Sequence, residues 1–90
     1  MQEFAKTRFE FLIADLDLAM TFVGISRTEL KMSDIESHRR LLDKARMALD
    51  TVRRLMSQPP KFAPERQRVL DQRCAELESA IEAASQIQMG

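Results

Sequence analysis

The chain has 90 residues, 44% of them apolar and 31% charged, with only 2 glycines and 3 prolines. A chain of this length buries only about 60% of its unfolded surface and supports one core. This composition is too apolar for disorder and too poor in breakers for a β fold, so an all-α domain over residues 1–90 is expected. Five phenylalanines with no tryptophan or tyrosine leave no stacking platform for single-stranded nucleic acid, and a formal charge of zero gives no global field toward nucleic acid or an anionic membrane. The single cysteine, Cys74, excludes an intramolecular disulfide and fits a reducing, cytoplasmic setting.

The first helix is expected over about residues 2–25, with room to run a turn further because the link from Ile25 to Met32 has Gly24 at its entrance and no proline. Ala5, Phe9, Leu12, Leu16, Ala19 and Val23 recur at alternating spacings of four and three, a heptad seam. A second stripe, Phe4, Phe11, Leu18 and Ile25 with Phe22 beside it, follows the same repeat on the adjoining surface. At 100° per residue the apolar arc spans roughly 240°, leaving Glu3, Lys6, Glu10, Asp17 and Thr21 on a narrow polar side. The charges Glu10, Asp15 and Asp17 within Phe9 to Val23 exclude a membrane span or secretory core.

The second helix is expected over about residues 34–57, opened by Ser33-Asp34-Ile35-Glu36 as a capping box with Ser33 at the cap and Glu36 reaching back to its amide. Its seam is Ile35, His38, Leu42, Ala45, Leu49, Val52 and Met56, flanked by Leu41, Ala48 and Leu55. Arg39, Arg40, Asp43, Arg46, Asp50, Arg53 and Arg54 occupy the other face. Pro59-Pro60 must end it and start a tight reversal. The third helix is expected over about residues 64–88, with Pro64 at its first position, Glu65 in the first turn, and an inner face of Leu70, Cys74, Leu77, Ile81 and Ala84 flanked by Val69, Ala80 and Ile87. The result is an antiparallel three-helix bundle, possible as a dimer through the first helix. Residues 1–31 hold four basic and five acidic groups, 32–61 seven and four, and 62–90 three and five, a pattern that suits attraction between neighbouring helices.

No constellation points to a cofactor or to catalysis, and a non-enzymatic protein is expected. Asp34 and His38 stand one turn apart and could present two metal ligands, but there is no second histidine and no Glu-x-x-His signature. A core histidine is the stronger reading. Cys74 on the inner face reads as a small buried hydrophobe and not as a nucleophile. Six basic residues in the second helix suggest a nucleic-acid face, yet Asp34, Glu36, Asp43 and Asp50 interleave with them, which a phosphate-tracking surface would not place there. Arg8 and Asp15 fall in the notch between the two apolar stripes of the first helix, where each should find an opposite charge, border an interface, or reach solvent.

Ala48, Val52, Leu55 and Pro60 have the spacing of the second half of a tetratricopeptide repeat, and about thirty residues resemble that family. The first half departs from it: Met32, Glu36 and Arg39 stand where the family has Trp, Gly and Tyr, and the periodicity runs through Asp43 without the break a two-helix repeat requires. Length and architecture are also similar to three-helix adaptor domains that take a peptide helix in a groove. The functional expectation is a self-association module whose interface is Phe4, Phe11, Leu18, Phe22 and Ile25. The alternative is a groove for an amphipathic helix of another protein, with no membrane partner and nucleic acid ranked last.

Overall fold

The computed structural model describes residues 2–87, and the side chains of 4–86. Three helices account for nearly all of it: α1, Gln2–Lys31; α2, Ile35–Met56; and α3, Pro64–Ile87. The expected residue 88 of the third helix and the Ile87 side chain lie outside the described residues. The molecule measures 49 × 17 × 16 Å, and a 30-residue helix is about 45 Å long, so α1 sets its length. α1 packs on both other helices and most extensively on α2, whereas α2 and α3 touch least.

The cross-links show direction. Arg53 meets Glu78 and Arg46 meets Ser85, so α2 and α3 run antiparallel. Asp17 meets Arg73 and Phe9 lies under Arg66, so α1 and α3 run parallel. This is the expected up-down-up bundle. Its core takes Leu12, Leu16, Ala19 and Val23 from α1, Leu42, Ala45, Leu49, Val52 and Met56 from α2, and Leu70, Cys74, Leu77, Ile81 and Ala84 from α3. Complete burial of each large aliphatic group contributes about 1.5–3 kcal/mol. The unbroken α2 confirms the departure from a two-helix repeat.

Three sequence expectations are corrected at the first turn. α1 does not stop near Gly24 or Ile25 but runs to Lys31, because Gly24 keeps a negative φ and the helix only loses propensity there. The helix ends in a Schellman motif: Ser33 N–H donates to the Leu30 carbonyl and Asp34 N–H to the Glu29 carbonyl, both at 2.9 Å. Ser33 therefore sits at φ 66°, the left-handed position that glycine normally fills. With its amide committed to Leu30, Ser33 cannot anchor the expected capping box. Asp34 caps α2 instead, its carboxylate accepting from the Ser37 amide at 3.1 Å and the Ser37 hydroxyl at 2.9 Å. Those hydrogen bonds hold the Asp34 carboxyl below its usual range. α2 thus spans 35–56, not 34–57, and Ile35, expected on the seam, is exposed at its first position.

The second link, 57–63, is also more structured than a plain reversal. It turns Phe62 into the core, against Phe9 with ring centroids 6.4 Å apart in an edge-to-face arrangement.

Opposite substitutions at the two backbone positions are expected to have the same effect. Ser33→Gly should relieve the left-handed strain and raise stability by about 0.5–1 kcal/mol. Gly24→Ala should raise it by a similar amount, because a Cβ there meets nothing within 4 Å. Urea unfolding should show higher midpoints for both at unchanged slope, and a lowered midpoint for either would refute the local geometry.

Candidate interaction surface

Two neighbours leave part of α1 uncovered. Phe4 is 64% exposed, Phe11 59%, Leu18 52% and Ile25 41%. These four belong to the expected stripe. Phe22, the fifth, is partly buried against the core, with the Lys44 ammonium 5.9 Å from its ring centroid, so it flanks the face instead of lying on it. Because α1 reaches Lys31, the row continues in heptad register to Met32, also exposed.

A second row lies beside the first: Thr7, Ala14, Thr21 and Thr28, all exposed and all small. The Thr21 hydroxyl donates to the Asp17 carbonyl at 3.1 Å and the Thr28 hydroxyl to the Gly24 carbonyl at 3.4 Å. Both hydroxyls are therefore partnered within the helix and can leave water at little cost. From Phe4 to Thr28 neither row contains a charge. At 1.5 Å per residue this dry face is about 36 Å long, bordered by Glu10 and Asp17 on one side and by Arg8, Asp15 and Glu29 on the other. The sequence signal for the small row was present in the spacing of Thr7, Ala14, Thr21 and Thr28, but hydropathy alone places threonine with the polar side.

The notch charges take different routes. Arg8 pairs with no carboxylate among the described residues. Its guanidinium donates to the Pro60 carbonyl at 2.7 Å, to the Gln58 carbonyl at 3.0 Å and to the Leu55 carbonyl, and lies 4.4 Å from the Phe62 ring centroid. It closes the C-terminal end of α2, where free carbonyls and the helix dipole favour a cation. Asp15, half-buried, makes no ion pair among the described residues.

The other candidate sites are occupied by structure. His38 is fully buried; its Nδ1 lies 2.8 Å from the Ser26 carbonyl, which can only accept, so the imidazole carries its proton there. Ser26, a core residue that the shorter expected helix missed, donates its hydroxyl to the Val23 carbonyl at 2.6 Å. The His38 Nε2 has no partner among the described residues. Asp34, the proposed second ligand, is committed to Ser37, and no group of three or more His, Cys, Asp or Glu side chains among the described residues could hold a metal ion.

Cys74 lies in the core with its Sγ 3.8 Å from the Met56 sulfur, and burial pushes its thiol up, away from the thiolate a nucleophile needs. On α2, Arg46 bonds Asp43 and Ser85, and Arg53 bonds Glu78, so these arginines bridge to carboxylates and to α3. A shallow cleft of about 520 Å³ between the C-terminal end of α2 and the N-terminal end of α3 is lined by Arg53, Met56, Lys61, Phe62 and Pro64. It presents no acid–base pair. No helix among the described residues is long and apolar enough to cross a membrane.

Two substitutions test the polar contacts. Arg8→Met should lower stability by about 2 kcal/mol, the loss of hydrogen bonds from a charged donor, and Arg8→Lys should restore less than half of it because one ammonium cannot span three carbonyls and an aromatic face. His38→Met should change stability by less than about 1 kcal/mol, since it removes the unpartnered nitrogen while filling the site. His38→Ala should lose about 2–4 kcal/mol by opening a cavity. Thermal unfolding of the four variants measures all of these.

No family model matches the chain, and comparisons with curated proteins and with solved structures give no match.

Proposed function

We propose that the chain is a non-enzymatic self-association module whose interface is the uncovered face of α1. The observation that carries this reading is the charge-free double row from Phe4 to Thr28, exposed along most of the molecule's length. Taking about 200 Å² for a whole aromatic side chain, the four large residues expose on the order of 400 Å² of apolar surface per chain. With the small row, two copies would bury roughly 1,000–1,200 Å², the low end for a specific interface. The favoured assembly is a dimer that dissociates on dilution. Its buried thiol suits a reducing, cytoplasmic setting.

Sedimentation across a dilution series tests the reading. A mass of two chains that falls toward one in the micromolar range is expected. Phe11→Glu and Leu18→Glu should each raise the dissociation constant at least tenfold while the helical circular dichroism stays unchanged, since both side chains lie outside the core. A wild-type chain that stays monomeric at every concentration overturns self-association. Were that monomer to bind an apolar fluorescent dye while folded, the same face would instead be a receptor for another protein's amphipathic helix.

A further inference from the structure

We infer that the two copies pair antiparallel, with each large side chain of one α1 seated on a small side chain of the other; this rests on the self-association reading above. The face has one large row, Phe4, Phe11, Leu18 and Ile25, and one small row, Thr7, Ala14, Thr21 and Thr28, each with a seven-residue repeat.

When two helices pair in parallel, equivalent residues meet. Phe11 would face Phe11 and Ala14 would face Ala14, giving overfilled layers alternating with empty ones, and both are costly. When the second helix is reversed, each layer takes one residue from each row. Phe4 then lies on Thr28 of the second copy, Phe11 on Thr21, Leu18 on Ala14 and Ile25 on Thr7, so every layer has nearly the same volume. This register covers both phenylalanines at once. The inward-bonded hydroxyls of Thr21 and Thr28 leave their methyl groups free to receive those rings.

The two-fold axis passes beside residue 16, which brings the Asp17–Arg73 pairs of the two copies, 2.7 Å within each chain, to the same edge. Two cations and two anions then meet there and cancel. The contact uses the same patch on both chains, so assembly closes at two copies without growing into a filament.

Cysteine cross-linking reads the arrangement directly. Thr7→Cys and Ile25→Cys chains are prepared separately, with buried Cys74 left in place and the unsubstituted chain as control. In the antiparallel register, equivalent positions are about 27 Å apart along the helices, too far for a disulfide, which needs Cα atoms within about 7 Å. Each variant alone should stay uncross-linked on oxidation, and the mixture should give a disulfide-linked dimer. A disulfide in either variant alone would mean parallel pairing and overturn the inference. Sedimentation of the same variants under reducing conditions separates the two failures: dimers that cross-link in no combination exclude this register, whereas monomers exclude self-association itself. Phe11→Cys with Thr21→Cys provides a second pair with the same expected outcomes.

Discussion

The structure depends on one geometric constraint: two helices cannot wrap a third that is apolar over most of its circumference. α1 turns its Leu12, Leu16, Ala19 and Val23 seam into the core and leans Phe9 and Ile13 against it. That exhausts what α2 and α3 can cover. The stripe of Phe4, Phe11, Leu18 and Ile25 is left in solvent because the described residues form no fourth helix to receive it. Most of the other properties, including the elongated shape and the loose α2–α3 contact, follow from α1 acting as the spine to which the other two attach.

Apolar packing is non-directional, and a bundle of heptad seams could slide by one turn at little cost. Polar ties placed along the seams oppose this. At one end the Arg8 guanidinium grips the carbonyls of Leu55, Gln58 and Pro60; at the other the His38 imidazole donates to the Ser26 carbonyl. Moving α2 by a turn would break both. These contacts add modest net stability for their number, since each also requires a polar group to leave water. What they select is the register, and the register decides which α1 residues remain outside.

The sequence made the helices and their seams legible because their apolar periodicity is strong and Pro59-Pro60 and Pro64 bound the second and third helices. It drew the end of α1 at Gly24 and Ile25 and left only the extra turn open, because Gly24 looks like a stop, while the actual stop is a left-handed Ser33 whose signature is backbone hydrogen bonding and not residue type. With the helix cut short, Ser26 was lost from the core. The partners of Arg8 were unreadable for a related reason: they are carbonyls, which every residue possesses, and only the fold brings three of them together. Phe62 was overlooked as part of a link, although a lone large aromatic beside prolines was a signal that the link packs inward.

The contrast between the outer faces of the three helices bears on what the exposed stripe is for. α2 presents arginines and carboxylates to solvent with Ile35 and Met47 as separated large apolar exceptions, and on α3 the exposed large apolar residue among the described side chains is Val69. Scattered residues of that kind are ordinary on any protein surface. On α1 Met20 stands apart in the same way, but Phe4, Phe11, Leu18 and Ile25 are neither single nor scattered, and they follow the same seven-residue repeat as the seam that builds the core. The fold does not require them, because side chains that remain in water contribute almost nothing to packing, and Lys or Glu at positions 11 and 18 would serve the bundle equally well. A face that is apolar without helping the fold lowers solubility unless something covers it. The small row beside it, with the Thr21 and Thr28 hydroxyls already satisfied by the helix, leaves room for the close approach of another helix.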